Sequence, residues 1–164
     1  MSCFKDPRHV IKSAFSALAP GGYLELQDPM MPSLFVGPPP PNSAFAEWNN
    51  LALEASIAGG RPWDNAQYYA KWMREIGFID VHEPRFRIPT GSWSDSERDR
   101  EIGKLQLENW LAGMEGMTIR NLARIGWTPE RCRTLVEEVK EELREERVKP
   151  YNEFIVVWGR KPAE

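Results

Sequence analysis

The sequence predicts a single α/β domain that takes in residues 1–164. At two places an amphipathic helix pattern is followed by a glycine turn and a short strand, which is the order found in half of a βαβ unit. A strongly apolar segment at residues 154–158 predicts a further strand near the end of the chain. With 41% hydrophobic and 27% charged residues, the composition is that of an ordinary globular protein.

The first helix and its turn are the best-marked part of the sequence. Apolar side chains from Val10 to Leu18 recur at the spacing of one helix face, and Asp6 and Pro7 suit the cap and the first turn. Residues 19–22 read Ala-Pro-Gly-Gly and are expected to end the helix, because proline cannot continue it and glycine adopts a positive φ without steric cost.

A strand is predicted at residues 23–27, where side chains alternate between apolar and polar. Gln27 and Asp28 stand at its carboxyl end, the end at which open α/β sheets bind ligands. Both are therefore candidate substrate contacts. Asp28 has two open roles: it orients a substrate hydroxyl or acts as a base, or it caps the turn that follows.

The next segment predicts a stiff linker and a helix. Residues 38–41 are four prolines, which favour polyproline II structure, and a docking peptide for an aromatic groove is the alternative. Asn42 is expected to cap a helix that runs to about Ile57. Residues 59–60, Gly-Gly, follow a helix rather than a strand, which indicates a helix end and not a phosphate loop. The apolar residues after the first strand are candidates for a pocket wall: Met30, Met31, Leu34, Phe35 and Val36.

The second helix–strand unit is expected to begin at Asp64 and to turn at Gly77. Residues 78–82 predict its strand. Pro84 interrupts this strand, and Ile88 lies in a segment that extends it past a bulge.

Residues 92–127 predict a helical, lid-like insertion. Ser94 and Glu97 have the spacing of a capping box, and Gly113 and Gly116 are expected to break the helix that starts there. A short helix from Thr118 to Ile125 is expected to follow. Trp93, in the preceding turn, is a third candidate substrate contact, with packing under the lid as the alternative.

The final part of the chain predicts a charged helix and a central strand. Thr128 and Pro129 suit a helix start, and Pro150 is expected to end the helix. The continuous apolar run at residues 154–158 indicates a strand buried on both faces. It is therefore expected to lie between the other two strands of a three-stranded sheet.

Charge and cysteine content exclude several classes of protein. A net charge of −3 gives no electrostatic footprint for nucleic acid or an anionic membrane. Cys3 and Cys132 imply no disulfide framework, which suits a cytoplasmic or nuclear protein. His9 and His82 have no acidic residues at ligand spacing, so no metal site is expected.

Five stretches resemble one protein family. Residues 18–27 (LAPGGYLELQ) resemble the helix–turn–strand element of class I S-adenosylmethionine-dependent methyltransferases. Four more are similar to fungal secondary-metabolism methyltransferases of the LaeA-like group: residues 88–93 (IPTGSW), 111–116 (LAGMEG), 126–130 (GWTPE) and 156–162 (VVWGRKP).

The resemblance implies a truncated Rossmann-like methyltransferase sheet whose last strand is antiparallel and central, with a helical insertion over the substrate side. It places this sequence in the C-terminal half of that fold, without the N-terminal cofactor-binding half. S-adenosyl-L-methionine is thus implied by family resemblance only, and no residue here is carried over as a cofactor contact.

Two functions remain open at this point. The first is methyl transfer to a small natural product in fungal secondary metabolism, with a complementary methyltransferase half or a homodimer as partner. The second is a non-catalytic binding or interaction module derived from a methyltransferase, or an inactive gene fragment. An apolar strand left at a sheet edge is aggregation-prone, so we expect the chain alone to be dimeric, chaperone-dependent or poorly soluble.

Overall fold

The computed structural model describes residues 4–163. Within them lie five α-helices, five strands and two short 3₁₀ helices at Asn65–Tyr68 and Ala123–Ile125. The helices are α1 (Pro7–Ala17), α2 (Ala44–Ala58), α3 (Tyr69–Ile76), α4 (Glu97–Leu122) and α5 (Pro129–Arg144). The strands are β1 (Tyr23–Pro29), β2 (Leu34–Phe35), β3 (Ile79–His82), β4 (Arg85–Pro89) and β5 (Pro150–Arg160).

The sheet is built around β5, as the sequence predicts. β1 pairs antiparallel along one edge of β5, from Tyr23 opposite Arg160 to Pro29 opposite Phe154. β3 and β4 pair with its other edge, and the two-residue β2 pairs with its beginning. The α/β class and the central antiparallel strand are confirmed. The structure adds β2 to the three predicted strands and divides the second of them at Pro84 into β3 and β4.

The expectation that β5 is buried on both faces is wrong. Its burial alternates, and the alternation shifts by one residue along the strand. Asn152 is buried near the beginning, whereas Ile155 and Val157 are buried towards the end. Successive side chains of a strand point to opposite faces, so the two ends of β5 bury opposite faces. Val156 and Trp158 belong to the apolar run from which burial on both faces was predicted, but their side chains are partly exposed.

The described residues form two hydrophobic cores, and the buried residues Ile155 and Val157 of β5 belong to the first of them. The sheet core lies between α1, α3 and the sheet, and its buried members are Ile11, Leu26, Ala66, Tyr69, Ala70, Met73, Phe78, Ile155 and Val157. The helical core lies between α2, α4 and α5, and its largest buried members include Phe45, Trp48, Trp110, Met114, Leu122, Leu135, Val136 and Leu143. The molecule is thus a small helix-covered sheet joined to a three-helix layer.

Helix starts follow the predicted chemistry at two places. The Asp6 side chain accepts a hydrogen bond from the His9 backbone N–H at 2.9 Å, with Pro7 in the first turn of α1. Thr128 caps α5 in the same way through the backbone N–H of Arg131. These starts were predictable because the cap and the proline are local features.

Three predicted helix starts are wrong. Ser43 caps α2 in place of Asn42, because its Oγ accepts the backbone N–H of Ala46. Ser96 caps α4 in place of Ser94, with the backbone N–H of Asp99 as donor. Asp64 precedes a 3₁₀ helix and makes no side-chain cap, so α3 begins only at Tyr69.

The helix α4 is uninterrupted over 26 residues, so the predicted breaks at Gly113 and Gly116 are wrong. Neither of these glycines contacts anything that would require it, since a Cβ at either position would meet no atom within 4 Å. Gly103 is different, because a Cβ there would collide with the backbone oxygen of Gly91. The Gly91 backbone N–H also donates to the Gly103 oxygen at 3.0 Å, which fixes the start of α4 against the turn after β4.

Two ends of elements also differ from expectation. The helix α5 ends at Arg144, and Glu145 forms its C-cap. Pro150 does not end that helix but begins β5, where the first residue of a strand tolerates the missing N–H. Cys132 is a buried free thiol in the helical core, and Cys3 lies outside the described residues.

Candidate functional site

A cavity of about 370 Å³ lies where the two cores meet, at the carboxyl end of β1. This volume is in the range of small-molecule sites, which are typically about 300–1,000 Å³. Its walls combine apolar and aromatic side chains with a few polar groups. Its lining includes Asp28, Tyr69, Trp63, Trp110, Met114 and Asn152.

Asp28 and Tyr69 form the acidic side of the cavity. The Tyr69 hydroxyl donates to the Asp28 Oδ2 at 2.7 Å, joining the end of β1 to the start of α3. Tyr69 is 1% exposed, so its ring is fixed in the sheet core and positions the carboxylate. An ordered carboxylate at the end of a strand, beside an open cavity, is suited to bind a hydroxyl or an N–H of a ligand.

The side-chain oxygen of Asn152 is a hydrogen-bond acceptor for which the described residues provide no donor. Its Nδ2 donates to the backbone oxygen of Met30 at 2.8 Å and to the Ser33 Oγ at 3.0 Å. Because the Met30 carbonyl only accepts, these contacts fix which end of the amide is the donor. The Oδ1 is buried and has no hydrogen-bond partner among the described atoms. A buried unsatisfied acceptor costs roughly 1–3 kcal/mol, and Asn152 is one of the residues that line the cavity.

The aromatic wall is held from behind by the helical core. Trp110 packs edge-on against Trp48, with ring centroids 5.0 Å apart, and against Phe45 at 5.9 Å. The Trp48 indole N–H donates to the Thr118 Oγ1 at 2.8 Å, so this ring of α2 is fixed against α4. These contacts fix the orientation of Trp110, which presents an aromatic surface to the cavity beside Trp63.

The structure brings one of the three predicted site residues to this cavity. Asp28 lines it. Gln27 is exposed on the opposite face of β1, where its amide donates to Glu25 at 2.6 Å. The Trp93 indole N–H donates to the Thr90 oxygen at 3.1 Å in the turn after β4. Neither Gln27 nor Trp93 is among the residues that line the cavity, and their roles as substrate contacts stay predictions.

Two features of the cavity were not found from the sequence. Asn152 lies just before the apolar run of β5, and no local pattern distinguishes it from a loop residue. The middle of α4 was treated as a broken helix, although its Trp110 and Met114 form the wall opposite Asp28. Met31, which the sequence suggested as a pocket wall, does line the cavity.

Residues 4–163 contain neither a metal-binding cluster nor a membrane-spanning helix. No group of three or more His, Cys, Asp and Glu side chains in this range is arranged to hold a metal ion. None of the described helices combines the length and apolarity needed to cross a lipid bilayer. His82 instead stacks on Trp158 with ring centroids 5.3 Å apart.

The described residues do not fit S-adenosylmethionine. A nucleoside site of an α/β sheet needs a glycine-rich turn from a strand into a helix and an acidic residue for the ribose. Here β1 continues through Pro29 towards β2, and the turn after β4 is occupied by the contact between Gly91 and Gly103.

The fold and the cavity define an α/β domain with a small-molecule site beyond the end of a strand. Residues 1–83 match the methyltransferase domain family. The chain belongs to this family, which confirms the methyltransferase resemblance.

Curated relatives of the chain come from fungi. It is 37% identical over 160 residues to "Probable methyltransferase tdiE" of Emericella nidulans, covering 96% of this chain and 50% of that protein. It is 34% identical over 160 residues to "Methyltransferase pytC" of Aspergillus terreus, covering 96% and 49%. The "Secondary metabolism regulator LAE1" of Cochliobolus heterostrophus is 26% identical over 127 residues, covering 76% and 41%. The chain thus spans about half the length of the two methyltransferases, and LaeA-like proteins are among its more distant relatives.

Proposed function

We propose that this chain provides the substrate-binding part of a methyltransferase that acts on a small aromatic natural product of fungal secondary metabolism. The observation that carries the proposal is a cavity walled by Trp63 and Trp110 and lined also by Asn152, whose buried Oδ1 has no partner among the described atoms. Such a site favours a flat ligand that carries a hydrogen-bond donor, because the rings stack on the ligand and the amide oxygen accepts from it.

The residues of the cavity have separate roles in this proposal. Asn152 orients the ligand through its donor group, and Trp110 fixes the plane of the ring. Asp28 is the carboxylate at the cavity wall, and methylation of a hydroxyl or an N–H releases a proton that such a group can accept. Burial among aromatic rings excludes water and holds the ligand in one orientation, which lowers the entropic cost of transfer.

A partner is part of the proposal. S-adenosylmethionine would be bound by a complementary methyltransferase half, or by a site that a second copy of this chain completes, because the described residues do not fit it. The sheet supports this arrangement, because Tyr23 on β1 is 61% exposed and Phe86 on β4 is 52% exposed. We also propose that the protein is located in the cytoplasm or the nucleus.

The ligand class is tested with two probes that differ only in the donor, naphthol and methoxynaphthalene. We expect calorimetry to show that naphthol binds about tenfold more tightly than methoxynaphthalene, because one hydrogen bond contributes roughly that difference in binding free energy. In Asn152→Leu this preference should disappear while methoxynaphthalene binding is kept. Equal binding of the two probes by the wild-type chain would overturn the proposed role of Asn152, even if the variant failed to fold.

The enzymatic part is tested by titrating the purified chain with S-adenosylmethionine and S-adenosylhomocysteine. We expect no binding by the chain alone and micromolar binding once its complementary half is present. If naphthol binds but no partner confers cofactor binding, the alternative of a non-catalytic binding module is favoured. Sequencing the genomic DNA upstream of Met1 would show whether a glycine-rich strand–turn–helix is encoded there.

A further inference from the structure

A second cleft, of about 650 Å³, lies at the C-terminal end of α4. Three arginines line it: Arg61 from the segment after α2, Arg120 from α4 and Arg124 from the 3₁₀ helix that follows. We call this group the arginine cleft. Trp63 and Met117 line both the arginine cleft and the aromatic cavity, so the two spaces share a wall.

The arginines of the cleft lack ion-pair partners within the part of the chain that the structure describes. No ion pair within 4.0 Å joins any of its arginines to a carboxylate among residues 4–163. Other arginines of the chain are paired, for example Arg85 with Glu83 and Arg160 with Asp80. In a chain with a net charge of −3, three neighbouring unpaired arginines form a local positive site.

The contacts of two of the three guanidinium groups are informative. One of these groups is held in place by a hydrogen bond, and the other has a buried N–H without an acceptor. The Arg61 Nε is buried and has no acceptor among the described atoms. The Arg124 Nη1 donates to the Asn121 Oδ1 at 2.9 Å, and the buried Asn121 is fixed in turn by its bond to the Ala52 oxygen at 2.7 Å. A buried N–H donor without an acceptor is costly, so Arg61 is one polar group of the cleft that the described residues leave incompletely bonded.

We propose that the arginine cleft binds a carboxylate or phosphate group. Guanidinium groups bind such oxyanions through paired N–H···O bonds, and several together give a charge-assisted site. The shared wall at Trp63 and Met117 allows one ligand to place its anionic group in the cleft and its apolar part in the aromatic cavity. This inference depends on the charges of the cleft and not on methyl transfer.

The experiment uses calorimetry with three probes: naphthoate, the neutral naphthamide and inorganic phosphate. Arg120→Gln is the main variant, because Arg120 is exposed and makes no described hydrogen bond that its loss would break. Arg98→Gln is the matched control. Arg98 is an exposed arginine on the same helix, 22 residues earlier and hence about 33 Å away.

We expect wild-type protein to bind naphthoate at least tenfold more tightly than naphthamide, and this preference should fall as salt is raised. Arg120→Gln should remove most of the preference, and Arg98→Gln should change it less than twofold. A naphthoate preference that depends on Arg120 would show that the anionic group in the arginine cleft is a substituent of the ligand in the aromatic cavity. Phosphate binding that Arg120→Gln abolishes, without a preference for naphthoate, supports the site with a free anion as its ligand.

The proposal is overturned if neither naphthoate nor phosphate binding responds to Arg120→Gln. It is also overturned if Arg98→Gln has the same effect, because the charge would then act at long range. Naphthamide binding separates this result from the proposed function. If naphthamide binds while the anion effects are absent, the aromatic cavity stands and only the arginine cleft fails.

Discussion

The sheet core and the helical core are packed in different ways. In the sheet core the space is closed: a Cβ on Gly159 would lie 3.0 Å from both Met73 Cε and Val81 Cγ2. In the helical core the packing opens at Trp110 and Met114 into the aromatic cavity. Both cores contribute to the cavity, since Tyr69 of the sheet core also lines it. The difference teaches that the packing around Gly159 and Met73 supports the fold, whereas the packing at Trp110 and Met114 also forms a wall of a binding site.

The largest expected effect is the loss of stability when a fully buried methionine is replaced by alanine, and it should differ between the two cores. Met73→Ala leaves a void in the closed sheet core and should lower the free energy of unfolding by about 4 kcal/mol. Met114→Ala enlarges a space that already exists and is open to water, so we expect a loss of only about 2 kcal/mol. Urea unfolding of both variants measures this, and equal losses would contradict the contrast between the cores.

A smaller effect is expected where α4 meets the sheet. Gly103→Ala favours helix in isolation, yet its Cβ would collide with the Gly91 oxygen. We expect a net loss of about 3 kcal/mol from this overpacking. Gly116→Ala is the control on the same helix, and it should stabilise by about 0.5–1 kcal/mol because nothing opposes its Cβ. If both variants stabilise the protein in thermal unfolding, the contact between Gly91 and Gly103 does not exist.

Within the helical core, Glu142 of α5 is expected to hold the start of α2. Its Oε2 accepts from the Ser43 Oγ at 3.0 Å and from the Phe45 backbone N–H at 2.8 Å. Glu142→Gln keeps the shape and removes the negative charge from a helix N-terminus, so we expect a loss of about 1–2 kcal/mol. Glu138→Gln, an exposed change on the same helix, should have almost no effect in the same urea titration.

The smallest expected effect is a pH dependence that belongs to the helical core. Burial raises the pKa of the Cys132 thiol, and the nearby Arg131 and Arg133 oppose that rise only in part. Above the usual pKa of a thiol, the unfolded chain releases a proton that the folded chain retains, so stability falls as pH rises there. The slope from one thiol is at most about 1.4 kcal/mol per pH unit. Subtracting the curve of Cys132→Ala from that of the wild type should isolate this decline, and a flat difference would exclude it.

Most of the sheet half was predictable from the sequence because its signals are local. Asp6 and Pro7 begin α1, Gly77 ends α3 with a φ of 115°, and the apolar β5 takes the centre of the sheet. Each of these features depends on residues that are neighbours in the chain. The order of the strands followed from how apolar the last strand is.

The helical half and the site were less predictable because they depend on distant residues. Ser43 was missed as a cap beside Asn42, and the contact that distinguishes it comes from Glu142, 99 residues later. Gly113 and Gly116 were read as breaks, although packing on both sides of them keeps α4 continuous. The role of Asn152 requires knowing which residues surround its side chain, and no spacing in the sequence contains that information.

The continuity of α4 has a geometric consequence. At 26 residues the helix is a rod of about 39 Å. Its first third rests on the sheet at the contact between Gly91 and Gly103, Trp110 faces the cavity at its middle, and Arg120 reaches the arginine cleft near its end. Because one continuous helix connects these three places, the distance along its axis between the wall of the cavity and Arg120 of the arginine cleft is set by the helical rise alone.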